Sequence, residues 1–192
     1  MPGPVVVKFG GSLSGSPDLR ALLGVTARHG AVVAPGGGRF ADAVRAAQAE
    51  LGFSDEAAHR MAILAMDQTA EILAELAPSL PLAGARLELI RGSSIWRPSP
   101  MALGADVPCS WNVTSDSLAV WLGVEIAAPQ VILLKSAAAD AGADLKTLRE
   151  AGVVDPYLPQ IAARFSGTIS VLGPAAPDAL HKLLSSVERR AA

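Results

Sequence analysis

Cysteine is almost absent from this chain. Cys109 stands alone, so no internal disulfide framework can form and a reducing compartment is expected. Aromatic residues are scarce at 4%, although 51% of the chain is hydrophobic. The core must therefore be built from Val, Leu, Ile and Ala, which favours layered helices and strands over an aromatic-rich β-sandwich. The net charge is -2 and no basic block occurs, which leaves little to attract a nucleic acid. No apolar run approaches the ~18–20 residues of a spanning helix. The opening MPGPVVVKFGG lacks a charged n-region. Neither a signal peptide nor a membrane partner is expected, and a cytoplasmic location is. There is also no GK pair, and with it no Walker A loop.

What is present is an alternation of short apolar runs and helical periodicity. The length of 192 residues suits one domain, since domains commonly hold ~100–200. Residues 5–9 (VVVKF), 31–34 (AVVA), 130–135 (QVILLK) and 168–173 (TISVLG) read as buried strands. Residues 18–29, 39–51, 55–76, 114–124 and 178–187 carry helical spacing. Ser54 is the expected N-cap of the long third helix, and Gly52 ends the second. Residues 85–90 (ARLELI) are a candidate strand, and 91–110 read mostly as loop. In VDPYLPQIAARF, Asp155 is the expected N-cap and Pro156 the first helical residue. The alternation predicts an α/β fold, a three-layer αβα sandwich with a mostly parallel sheet. Residues 78–110 could divide the domain into two lobes.

Two glycine turns follow the first two strands, and ligands of open α/β sheets bind at such strand ends. Gly10, Gly11 and Ser12 allow close backbone approach to an anion. The plain alternative is a tight turn needing glycine only for its dihedrals. Lys8 tips the balance, because a strand-end lysine beside such a turn is poorly solvated unless it meets an anion. Gly36, Gly37 and Gly38 formally match GxGxxA, ending at Ala41. The acidic residue a dinucleotide site expects falls instead on Asp55 and Glu56, at a helix start. A second anion cradle is the better reading, aided by the helix dipole from Arg39 onward.

Asp116 lies in the first turn of its helix with Thr114 and Ser115, where an acid also serves the dipole. Lys135 ends an apolar strand and needs a partner, either Asp116 or a phosphate. His59 and Asp67, about 80° apart around the long helix, could share one pocket wall. A solvated or capped histidine is the plain alternative for His59. Cys109 reads as a buried small hydrophobe.

The stretches VVVKFGGSL, VVAPGGGRFADAVR, SWNVTSDSLAVWLG and VILLKS follow the order and rough spacing seen in the amino acid kinase superfamily, which the chain resembles over nearly its whole length. Within it, AAHRMAILAMDQTAEILAEL and SWNVTSDSLAVWLG are most similar to the small kinases of methanofuran biosynthesis. That resemblance implies phosphorylation of [5-(aminomethyl)furan-3-yl]methyl phosphate to the diphosphate with ATP and Mg²⁺. It implies a single amino acid kinase-like domain, residues 1–192. The acceptor-side lobe would span about 1–110 and the nucleotide-side lobe about 111–192. Family dimers or hexamers imply a homo-oligomer.

By the same resemblance Lys8 would contact the transferring phosphoryl group, while Gly10, Gly11 and Ser12 bind phosphate oxygens. Gly36, Gly37, Gly38, Arg39, His59, Asp67, Asn112 and Thr114 would serve the acceptor. Asp116 would orient the catalytic lysines. Gln160 falls where several relatives carry a late catalytic lysine, and Lys135 could take that place as catalytic and nucleotide-binding cation. The segment KSAAADAG lacks the Asp-Gly and Tyr common on the nucleotide side. Other acceptors on the same fold (isopentenyl phosphate, UMP, a carboxylate) remain open, as does a non-catalytic nucleotide- or oxyanion-binding protein.

Overall fold

The computed structural model describes residues 3–139 and 142–191. Its centre is a six-stranded sheet in the order β3-β4-β2-β1-β5-β6, with every pairing parallel. The strands are β1 (Val6–Phe9), β2 (Val32–Pro35), β3 (Leu82–Ala83), β4 (Ser94–Trp96), β5 (Gln130–Leu134) and β6 (Thr168–Leu172). β1, β2 and β5 are buried at every position, which is why they read as unbroken apolar runs rather than alternating ones.

A 3-10 helix (Gly11–Gly15) follows β1. Nine α-helices complete the chain among the described residues: α1 (Leu19–Arg28), α2 (Gly38–Leu51), α3 (Asp55–Leu76), α4 (Arg86–Leu89), α5 (Ser99–Ala102), α6 (Ser115–Glu125), α7 (Leu145–Glu150), α8 (Leu158–Ala162) and α9 (Pro177–Ala191). Alternate strand residues feed two separate cores. Val6, Val32, Ala34, Val131 and Leu133 pack with α6, α7 and α8 on one face. Val7, Phe9, Val33, Ile132 and Leu134 pack with α1 and α9 on the other. This is the expected three-layer αβα sandwich. α3 serves both cores, with Ile63 and Met66 in one and Ala70 and Leu73 in the other. α6 is apolar around most of its circumference because it is buried from Asp116 through Gly123. Truncating Leu122, which is fully buried there, would cost about 2–5 kcal/mol.

Several local expectations hold. The Ser54 hydroxyl accepts from the Ala57 N–H at 3.2 Å, and Gly52 takes the left-handed C-cap with φ 70°. Others are corrected. Residues 85–90 hold the short helix α4, not a strand, and the Glu88 carboxylate accepts from the Gly84 and Ala85 N–H groups to fix its start. The expected loop 91–110 contains β4 and α5, elements too short to show a period. Asp155 does not cap its own helix. α8 begins at Leu158 with Tyr157 as N-cap, because the Asp155 side chain is engaged on α6 instead. Cys109 is exposed rather than buried. Among the described residues no helix is long and apolar enough to cross a membrane.

Candidate active site

β1 lies between β2, reached by the first crossover, and β5, reached by a later one on the opposite side. The carboxyl ends of these three strands therefore surround a topological switch point, where open α/β sheets hold ligands. The two glycine turns leave β1 and β2 here and touch. A Cβ on Gly36 would stand 2.8 Å from the Gly11 nitrogen, and one on Gly11 would fall against the Gly38 Cα. Gly38 itself has φ 50°, a conformation glycine adopts without penalty.

Beneath the first turn lies a buried charge cluster. Lys8 occupies the same face of β1 as Val6 and so points toward α6. Lys135, just past β5, follows the same alternation from Val131 and Leu133. Asp116, in the first turn of α6, receives both. Lys8 Nζ stands 2.7 Å from Oδ1, an ion pair without hydrogen-bond alignment. Lys135 Nζ donates to Oδ2 at 2.6 Å. Lys8 and Asp116 are only 5% and 4% exposed. Burial, the largest influence on Asp116, would raise its pKa; the charges of Lys8 and Lys135 outweigh it and hold the carboxyl below its ordinary value. The Lys135 pKa is lowered, first by burial and then by the neighbouring Lys8 charge, with Asp116 opposing.

A second buried carboxylate completes the arrangement. Asp155 Oδ2 accepts from the Thr114 N–H at 2.9 Å, the Thr114 hydroxyl at 2.8 Å and the Ser117 N–H at 2.9 Å. Its Oδ1 accepts from the Ser117 hydroxyl at 2.5 Å. Asp155 thus caps α6 from 38–41 residues away and fixes the turn that carries Asp116. The charges of Lys8, Lys135, Asp116 and Asp155 cancel, which lets the fold bury them. Each lysine still has ammonium hydrogens beyond those aimed at Asp116.

A cavity of about 490 Å³ opens beside this cluster. Of the residues expected at a site, Gly11, Ser12, Gly37, Gly38, Arg39, His59 and Thr114 line it. Gly10 stands over the lysine instead, since a Cβ there would be 3.1 Å from Lys8 Nζ. His59 is 8% exposed, and burial lowers its pKa, so the ring lines the cavity in its neutral form at pH 7. Asp67 does not share that wall. Its carboxylate accepts from the Ser99 N–H at 3.0 Å and anchors α5. Asn112 is exposed outside the lining, and its carbonyl accepts from the Tyr157 N–H at 3.1 Å. Gln160 is exposed on α8.

Sequence reasoning missed Asp42, Arg45 and Trp111, which also line the cavity. The first two were legible as the i+4 and i+7 positions from Gly38, one face of α2. Trp111 carried no local signal. Its indole N–H donates to the Gln48 side-chain oxygen at 2.6 Å, and the Arg45 guanidinium lies 4.3 Å from its ring centroid.

The profile of the amino acid kinase family matches residues 3–139. The [5-(aminomethyl)furan-3-yl]methyl phosphate kinase of Methanocaldococcus jannaschii is 34% identical over an alignment of 137 residues that covers 67% of this chain and 63% of that protein. The match therefore spans a little under two thirds of that relative's length. Among solved structures, uridylate kinase from Archaeoglobus fulgidus superimposes with a TM-score of 0.67 at 21% identity, covering 95% of both chains. UMP kinase from Bacillus anthracis gives 0.68 at 13% identity, covering 97% of this chain and 93% of that one. At these identities the two structures speak for the fold alone.

Proposed function

The chain belongs to the amino acid kinase family, and from that premise we propose that it transfers the γ-phosphoryl group of ATP to a small-molecule monophosphate. The acceptor it fits best is [5-(aminomethyl)furan-3-yl]methyl phosphate, the compound named for the 34% identical relative. The observation that carries this reading is the pair of lysines held on Asp116 at 2.7 and 2.6 Å, beside two glycine turns that touch.

In the proposed reaction an acceptor phosphate oxygen forms a bond to the γ-phosphorus while the bond to the β–γ bridging oxygen breaks, giving ADP and a diphosphate ester. The attacking oxygen is already ionised near neutral pH, so base catalysis is of little importance. The demand is for positioning and for cover over crowded anions. Backbone N–H groups of the 10–12 turn would hold phosphate oxygens on the donor side, and those of the 36–38 turn would hold them on the acceptor side. Lys8 would reach the transferring group between them, and Lys135 would supply the second cation from the nucleotide side. Asp116 would hold both ammonium groups in place. Arg39 and neutral His59 would donate to the acceptor phosphate.

Mg²⁺ would neutralise charge on the ATP phosphates. Among the described residues no group of three or more His, Cys, Asp or Glu side chains gathers to hold a metal. The acceptor side would draw on residues 1–110 and the nucleotide side on 111–192, although Thr114 and Ser115 also reach the acceptor cavity. Met61, Leu64 and Ile72, exposed along α3, support a homo-oligomer. The test is incubation with ATP and Mg²⁺ and a panel of furan, isoprenoid and nucleoside monophosphates. Formation of ADP with the furan phosphate is expected, and absence of transfer to every member would sink the reading.

A further inference from the structure

We propose that the cavity selects an acceptor bearing, besides its phosphate, a flat ring read by Trp111 and a cationic group read by Asp42; this rests on the reading of the cavity as a phosphate acceptor's pocket. The residues in question are Asp42, Arg45, Gln48 and Trp111, to none of which the phosphoryl-transfer chemistry gives a part.

The cavity is graded along α2. Gly38 begins the helix against the first glycine turn, and Asp42 and Arg45 follow on the same face. They stand about 6 Å and about 10 Å along the axis from Gly38, at 1.5 Å rise per residue. The span from phosphorus to amine nitrogen in a five-membered ring with two one-carbon arms falls between these two intervals. With a phosphate on the glycine turns, the opposite arm reaches the level of Asp42. The reverse orientation would bring a cation against Lys8 and Lys135.

Trp111 is held for stacking rather than for hydrogen bonding. Its N–H is spent on Gln48, whose amide in turn donates to Asp55 Oδ1 at 2.8 Å and to the Phe53 carbonyl at 3.2 Å. Arg45 rests on the ring. What Trp111 offers a ligand is therefore flat apolar surface, in a cavity that Ile63 and Met66 also line.

Asp42 keeps acceptor capacity. Its nearest cation, Arg45, is 3.6 Å away, beyond a good hydrogen bond. A primary ammonium brings three donors to such a carboxylate. Asp42 and Arg45 are more than half exposed, so a hydrocarbon arm in the same place would leave them in water and forgo the ion pair. The pocket thus favours an amine by the one ion pair that a neutral arm cannot make.

The experiment is calorimetric binding to the full chain, with [5-(aminomethyl)furan-3-yl]methyl phosphate and with the analogue whose aminomethyl arm is a methyl group. The wild type should bind the amine about fivefold more tightly, the scale of one exposed ion pair. Asp42→Asn should abolish that preference and Asp42→Glu should retain part of it. Trp111→Leu should weaken both ligands. Equal affinity for the two probes in the wild type, a preference that survives Asp42→Asn, or binding of neither probe overturns the proposal. Phosphoryl transfer to both probes without amine preference would overturn it while leaving the kinase reading intact. An amine preference without transfer would do the reverse.

Discussion

Gly11 and Gly38 meet backbone to backbone, so that the turns after β1 and β2 form one continuous surface with no room for a side chain between them. Gly11→Ala forces the two turns apart. It should cost about 1–3 kcal/mol by overpacking and lower kcat/KM, measured by denaturant unfolding and by the coupled ADP assay. Gly15→Ala, in the same 3-10 helix, meets nothing within 4 Å. It should change stability by no more than about 0.5 kcal/mol.

Asp116→Asn removes the anion shared by Lys8 and Lys135 while preserving volume. Breaking a buried ion pair from one side costs about 3–5 kcal/mol, and unfolding curves should show a loss of that size along with loss of turnover. Adding Lys8→Met to Asp116→Asn should recover part of the stability and none of the activity. A double variant as unstable as the sum of the single ones would remove the coupling. Lys8→Met by itself should lower turnover by orders of magnitude and leave nucleotide affinity near that of wild type.

Lys135 carries the pH dependence. Its pKa in the folded protein lies below the ordinary 10.5, through burial and the Lys8 charge. Turnover that needs its cation should therefore fall on the alkaline side before a free lysine would titrate. Between the folded and ordinary values the unfolded chain binds the extra proton, so this group's contribution to stability rises with pH across that window. A pH–rate profile of wild type and Lys135→Arg should show the alkaline limb displaced upward in the variant. Lys135→Ala with a loss confined to nucleotide affinity would reduce its role to binding.

Asp155→Ala should destabilise through α6. Four donors, the N–H and hydroxyl groups of Thr114 and Ser117, lose their acceptor. A cost of about 1–3 kcal/mol is expected from the buried unsatisfied groups. Asp155→Asn keeps an acceptor and should lose less. Thermal unfolding distinguishes the two, and equal losses would show that the carboxylate's charge matters more than its hydrogen bonds.

Much of the architecture is legible along the chain because strand burial, helical period and turn chemistry are local properties. The run ending in Lys8, the glycines after it, the Ser54 cap and the apolar strand before Lys135 each announce themselves within ten residues. β3 and β4 do not, being two and three residues long, and neither does the short helix that replaces an expected strand at 85–90. The exposure of Cys109 has no local signature, because it depends on what the rest of the chain covers.

By itself the sequence determined the residue types: strand-end lysines, paired glycine turns, and an acid in the first turn of a buried helix. It could not say which of them meet. Only the sheet order, with β1 between β2 and β5, brings Lys8 and Lys135 to one carboxylate and lays Gly11 on Gly38. Only the packing of the segment before α8 against α6 gives Asp155 to Thr114 and Ser117, and only the loop's descent onto α2 sets Trp111 on Gln48, 63 residues away. These are contacts between elements far apart in the chain. Burial of the two cores holds them together, and no spacing along the chain encodes it.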